Sequence, residues 1–301
     1  MYDSVEAYRR LYLIRRTELE IVNRYYPDPD NRQESPMRCP VHLSIGQEGV
    51  AVGVAMAVPE GSIAYSTHRC HAHYLAWGGS LEAMVAEIYG RATGCNGGRG
   101  GSMHLADRAA GFYGTSAIVG SSLSCAVGGA FADRLAGSDR ATVGFGGDAV
   151  LETGQFWEAL NFARLHMLRI LFVVEDNGLS TATPKDRRQA WTWKVPDASI
   201  LPLDNAREVY LATCTALMEH PSVLMVKTRR FHEHVGLMRM PEYATYPEDD
   251  PLRVGFQDAA AHLGNQRDEV LGDVEREAEW RIEKAFAKAE AAPWPEPQVH
   301  H

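Results

Sequence analysis

Two apolar runs, "RATVGFGG" ending at Gly147 and "LRILFVVED" ending at Asp176, flank one helix's worth of sequence, and this spacing constrains the fold most. Neither run alternates with polar residues, as expected for strands buried on both faces of a parallel sheet. The intervening "GQFWEALNFARLH" has helical spacing, so the three pieces form a βαβ unit. A third apolar strand, "SVLMVKTRR", is reached through a helix, "NAREVYLATCTALMEH". These units predict an α/β fold with a doubly wound, mostly parallel sheet and helices on both faces.

The rest of the chain fits one domain over 1–301, with no internal repeat and no long linker. An amphipathic helix is expected at about 4–25, ending at the turn "YYPDPDN", and a charged helix at about 268–291. "SIAYST" reads as a short strand, "SLEAMVAEIYGRATG" as a helix and "NGGRGGSMH" as a glycine-rich loop that a ligand can approach closely. "LSIGQEGVAVGVAMAVPEG" and "SSLSCAVGGAFADRL" read as small-residue helices, suited either to a subunit contact or to tight packing within the domain.

The turn after the first run admits two chemistries. Gly144, Gly146 and Ala149 satisfy a dinucleotide pattern, and Glu175-Asp176 ends the next strand where such a fold binds ribose. Against a nicotinamide cofactor, Asp148 would repel its pyrophosphate unless a cation intervened. The helix also starts late, near Gly154 or Gln155, and Asn177, Gly178 and Leu179 form a polar turn at the second strand end. Asp148 and Asn177 lie 29 residues apart at the carboxyl ends of successive strands, where open α/β sheets place ligands. A carboxylate, an amide oxygen and the Leu179 carbonyl form a hard oxygen set for Mg²⁺, and the N–H groups of Ala149 and Val150 can face a diphosphate.

Charge narrows the partners. Thirty basic and 39 acidic residues give a net charge of −9, which disfavours nucleic acid and anionic membranes. The five cysteines are scattered without C-x-x-C spacing, no apolar run is long enough to span a bilayer, and the N-terminus is charged throughout, so a cytoplasmic location is expected. The terminal "VHH", natural or from a tag, carries no argument.

The stretch "GGDAVLETGQFWEALNFARLHMLRILFVVEDNGLSTATP" resembles the thiamine diphosphate motif, which runs from Gly-Asp-Gly to Asn-Asn over roughly 30 residues. Six further blocks, "HLSIGQEGVAVG", "STHRCHAHYLAWGG", "EIYGRATGCNGGRGGSMHLAD", "GFYGTSAIVGSSLSCAVGGAFA", "TRRFHEHVG" and "AEAAPWPEP", occur in the order seen in the α subunit of the two-subunit 2-oxoacid dehydrogenases of pyruvate, acetoin and branched-chain type. The resemblance implies the thiamine diphosphate-binding fold, with thiamine diphosphate and Mg²⁺ as cofactors. It gives the metal to Asp148, Asn177 and Leu179, and the cofactor to His68, Arg69, Ala117, Val119, Gly147, Asp148, Ala149, Val150, Asn177 and His234. His234 corresponds to the active-site histidine, ahead of its neighbour His232. His104 either lines the same pocket or has a capping or packing role.

The implied reaction decarboxylates a 2-oxo acid and passes the acyl group to a lipoyl acceptor, with a lipoyl acyltransferase as a further partner. The family's catalytic glutamate belongs to a β subunit and has no counterpart here, so the chain is expected to be inactive alone and to assemble as an α2β2 heterotetramer. A two-subunit transketolase-like or acyloin-forming enzyme is the alternative. Three departures stand out: Ala149 follows the aspartate where glycine is usual, Asp176 replaces the first asparagine, and 185–222 is shortened and matches poorly. Ala149 is tolerable only if its φ is negative.

Overall fold

The computed structural model describes residues 1–26 and 35–297. Most of the expected turn "YYPDPDN" and the terminal "VHH" lie outside them. Helix α1 (Ser4–Tyr25) opens the chain, capped by Asp3, whose carboxylate accepts from Val5 N at 3.0 Å and Glu6 N at 3.1 Å. Then follow α2 (Glu48–Ala57), β1 (Ile63–Thr67), α3 (His71–Ala76), α4 (Leu81–Ile88), β2 (Phe112–Ser116), α5 (Ser121–Leu135), β3 (Thr142–Gly147), α6 (Gly154–Leu165) and β4 (Ile170–Asp176). The hairpin β5 (Leu179–Ser180) and β6 (Thr183–Pro184) precedes β7 (Ser199–Leu201), α7 (Ala206–Ala216), β8 (Ser222–Lys227), α8 (Pro251–Leu263) and α9 (Arg267–Ala291).

Six strands form one sheet in the order β2-β1-β3-β4-β8-β7, every pairing parallel. The expected α/β architecture is therefore observed. Every residue of β4 is buried, as its unbroken apolar run implies. Successive side chains of the central strands feed two cores. Val143, Phe145, Leu171, Val173, Leu224 and Val226 join the core under α1, α2, α3, α4 and α7; Ile170, Phe172, Val174 and Val223 join the one under α5 and α6. The chain leaves β1 toward β2 on one side and returns to β3 on the other, so the sheet's switch point lies at β1 and β3.

Two local readings change. The segment 43–47 is not helical: Gly46 takes φ +96°, its N–H donates to Glu48 at 2.9 Å, and α2 begins only at Glu48. A Cβ on Gly49 would lie 2.4 Å from Asp204 Oδ1, and one on Gly53 2.5 Å from the Ala206 carbonyl. The small residues of α2 thus serve packing against α7 and its approach within the chain. Along α5, by contrast, Ser124, Cys125 and Gly128 remain exposed.

Buried charges fix several joins. Arg15 of α1 donates to Glu48 Oε2 at 3.0 Å and to Asp250 Oδ1 and Oδ2 at 2.7 and 3.0 Å, with side-chain exposures of 1%, 0% and 5% for the three. Glu18 accepts from Ser44 N at 2.7 Å and meets His71 Nδ1 at 3.0 Å, which holds the 41–47 loop against α3. Glu87, at the end of α4, accepts backbone N–H bonds from Asn96, Gly98, Gly100 and Gly101 at 2.6–3.2 Å and so gathers the glycine-rich loop.

Candidate functional site

The carboxyl ends of β1, β2, β3, β4 and β8 converge on a cavity of about 260 Å³ at the switch point. Its walls include His68, Arg69, Ala117, Val119, Gly147, Asp148, Ala149, Val150, Asn177, Leu179 and His234. His104 is not brought there. It is exposed, with Nδ1 at 3.2 Å from the Gly100 carbonyl, because the loop gathered by Glu87 presents Met103 to the cavity instead. His232 is also absent from the wall: its Nδ1 lies 2.9 Å from the Leu237 carbonyl.

Ala149 lies in a single 3-10 turn, Asp148–Glu152, and is not among the positive-φ residues. A Cβ is therefore tolerated after Asp148. Gly120, preceding α5, does need glycine: its φ is +89°, and a Cβ would lie 2.8 Å from Gln155 Oε1. The turn at Gly120 leaves Ile118 and Val119 exposed at the cavity mouth.

One end of the cavity is acidic. The Asp148 side chain is 2% exposed and pairs with Arg188, while Lys185 stands 3.9 Å from it. Asp176 pairs with Lys185 at 2.6 Å and with Lys227. Burial pushes the Asp148 carboxyl above its ordinary range despite Arg188 and Lys185. Burial also pushes Asp176 upward, but the bonds from Lys185 and Lys227 outweigh it and leave that carboxyl below its ordinary range. The extra charge of Asp176 is thus largely compensated. Asn177 accepts from Leu179 N at 3.0 Å through Oδ1, and its amide faces Gln47 Oε1 at 3.4 Å. Of these two carboxylates only Asp148 lines the cavity, and this buried acid that draws in cations, beside the Asn177 amide oxygen, fits a hard divalent ion.

The other end is basic. Arg69, buried, donates to the Leu43 carbonyl at 2.7 Å and the His234 carbonyl at 3.0 Å, and approaches His234 Nδ1 at 3.3 Å. Burial, then the nearby Arg230, lowers its pKa to about 10. His42, His68 and His234 form a triangle with ring centroids 4.9, 5.3 and 5.3 Å apart. Buried His42 Nδ1 and His68 Nε2 have no partner among the described residues. The ligand atoms of the three rings lie within 4.8 Å of one another, which by itself would suit a transition metal. The guanidinium argues otherwise: a dication roughly 5 Å from Arg69 would be opposed by roughly 7 kcal/mol at an effective dielectric of about 20. Neutral imidazoles beside Arg69 and Arg230 suit an anion.

Burial chiefly, with Arg69 and the neighbouring rings, lowers His42 and His68 to about 3, and His234 falls to about 4 for the same main reason with Arg69 and Arg230. An unfolded histidine binds its proton near pH 6.5, so between that pH and about 4 the unfolded chain holds more protons than the folded one. Stability is expected to fall as pH drops from about 6.5 toward 4, and His42→Gln to flatten the slope. Denaturant midpoints against pH check this; an unchanged slope in the variant would place its source elsewhere.

Sequence reasoning misses His42, Gln47, Arg230, Lys185 and Arg188. His42 and Gln47 stand out as polar residues in "HLSIGQE", but most of that block reads as helix. Arg230 adjoins the recognised "FHEH", and the two remaining cations lie in the segment that matches poorly.

Residues 10–199 match the family model described as dehydrogenase E1 component. The α subunit of acetoin:2,6-dichlorophenolindophenol oxidoreductase from Bacillus subtilis (strain 168) is 33% identical over 274 residues, covering 85% of this chain and 81% of its own. The pyruvate dehydrogenase E1 component subunit alpha of Rhizobium meliloti (strain 1021) is 33% identical over 265 residues, covering 83% and 72% respectively. A second acetoin:2,6-dichlorophenolindophenol oxidoreductase α subunit, from Cupriavidus necator, is 32% identical over 281 residues, covering 86% and 83%. With more than half of its length matched by one family model and its relatives aligned along most of theirs, the chain belongs to the dehydrogenase E1 component family, as an α subunit.

Proposed function

We propose that the cavity holds thiamine diphosphate through Mg²⁺ on Asp148, Asn177 and the Leu179 carbonyl, in a chain that decarboxylates a 2-oxo acid and delivers the acyl group to a lipoyl acceptor. The observation that carries this reading is that one cavity brings together the buried Asp148 carboxylate and Asn177 with the buried Arg69 guanidinium and His234. Family members are thiamine diphosphate-dependent, and the cofactor supplies the carbon nucleophile that makes decarboxylation of a 2-oxo acid accessible. The remaining work falls to this chain. Ala149 and Val150, following Gly147, line the cavity, and their N–H groups would serve to hold the diphosphate. Ala117 and Val119, on the same wall, would offer main-chain groups to the pyrimidine ring. Arg69 and His68 compensate anionic charge, while His234, fixed by Arg69, positions the substrate carboxylate and holds or releases a proton at its ring nitrogen.

A β subunit is the family's partner, and we assign it the missing glutamate in an α2β2 assembly located in the cytoplasm, acting with a lipoyl acyltransferase. Exposed Ile118 and Val119 at the mouth, with the open small-residue face of α5, form the surface for it. Among the described residues no helix is long and apolar enough to cross a membrane.

The test reconstitutes the full chain with a β subunit from its genetic neighbourhood and measures 2-oxo acid decarboxylation with a lipoyl domain as acceptor. Activity is expected only with both subunits, Mg²⁺ and thiamine diphosphate, and chelation should remove it. Turnover with an aldehyde acceptor but no lipoyl reduction would favour the acyloin-forming alternative, and full activity of the isolated chain would refute the shared site.

A further inference from the structure

The segment after β6 carries two cations, which the proposed reaction does not use, onto Asp148 and Asp176. Arg188 reaches Asp148 and continues to Glu152, while Lys185 lies 3.9 Å from Asp148 and 2.6 Å from Asp176. The Asp148 side chain is 2% exposed, so access to its oxygens is limited and these cations take much of it. A divalent ion needs the same oxygens, and a guanidinium at contact distance from that ion repels it.

The segment itself is lightly anchored. No residue of 185–192 joins a hydrophobic core, and several of them line a second cavity of about 800 Å³ before Trp193 and Val195 pack into the core under α5 and α6. Trp191 is exposed, and Trp193 touches Trp157 with ring centroids 5.7 Å apart. Few apolar contacts resist displacement of such a segment.

Resting on the assignment of Asp148 as a metal ligand, we propose that Lys185 and Arg188 form an internal counter-cation that competes with the divalent ion for Asp148, so that loading of Mg²⁺ and thiamine diphosphate displaces the 185–190 segment from that carboxylate. Loading then comprises an exchange of ion pairs as well as binding, and Arg188 sets the metal concentration at which it occurs. The released segment exposes Lys185 and Arg188 to solvent and to the partner subunit, beside Arg187 and Lys194, which are exposed already. If Arg188 were instead a direct ligand of the diphosphate, its removal would weaken loading, so the two roles predict opposite signs.

The experiment titrates Mg²⁺ at fixed thiamine diphosphate into the full chain assembled with its β subunit, read by calorimetry, with trypsin cleavage followed in parallel. Arg188→Ala is expected to lower the half-saturating Mg²⁺ by about tenfold, the change produced when a competent fraction of roughly one in ten rises to near unity. Arg188→Lys should stay near the parent, and loading should speed cleavage after Lys185 and Arg188 in the parent. An Arg188→Ala protein that needs equal or more Mg²⁺, or a segment that loading protects from trypsin, overturns the proposal. A parent that binds no Mg²⁺ and thiamine diphosphate at all overturns the site assignment beneath it.

Discussion

Arg15→Ala is expected to destabilise the chain by about 3–5 kcal/mol, because it strands Glu48 and Asp250 without a counter-charge in the interior. That is a large share of the roughly 5–15 kcal/mol that holds a typical protein folded. At about 2 °C per kcal/mol for a chain of this size, thermal unfolding followed by circular dichroism should move down by about 6–10 °C. The ion triad joins α1, the start of α2 and the cap of α8, so all three elements loosen together. Combining Arg15→Met with Glu48→Gln and Asp250→Asn should recover most of the loss. The glutamine side chain at position 48 keeps an acceptor for the Gly46 N–H, the asparagine at position 250 still caps α8, and no charge remains buried there. A triple variant no better than Arg15→Ala would show that the triad contributes packing rather than charge balance.

Asp148→Asn is expected to reduce metal-supported turnover of the α/β assembly by more than about 100-fold. Losing even a hydrogen-bond partner of a metal ligand typically costs roughly 10–100-fold, and here the charged ligand itself is lost. Stability should change little, since Arg188 can turn toward solvent and burial already disfavours the Asp148 charge. Calorimetry with Mg²⁺ and thiamine diphosphate, paired with a melting curve, separates the two effects. Undiminished cofactor binding in a well-folded variant would remove Asp148 from the metal site, whereas lost binding accompanied by unfolding would make its role structural.

The parts legible in the sequence are those governed by local rules. The unbroken apolar run of β4, the spacing that sets α6, and the boundary of α1 at the cap Asp3 all depend on neighbours within a few residues. The positions of Asp148 and Asn177 at adjacent strand ends follow from the βαβ unit alone. What stays hidden depends on contacts between distant segments. His42 reaches the cavity only because Glu18 pins the 41–47 loop from another helix, and Arg230 because β8 lies beside β4. The edge strand β7, with Ile200 exposed, lacks the continuous apolar run of an inner strand. His104 draws attention through its place in a glycine-rich loop, and loops of that kind do not announce which way their side chains turn.

Glycine-rich segments are usually thought of as shapeless until a ligand arrives. The loop from Asn96 to Gly101 has its ligand built in: the Glu87 carboxylate collects its amides as a bound phosphate would in an anion nest. The conformation is therefore encoded mainly in α4 and only weakly in the loop's own side chains. Substitutions that spare the amides and the glycine torsions should leave its path intact, whereas the same nine letters, "NGGRGGSMH", grafted onto a scaffold without an acid beneath them would not carry their shape along.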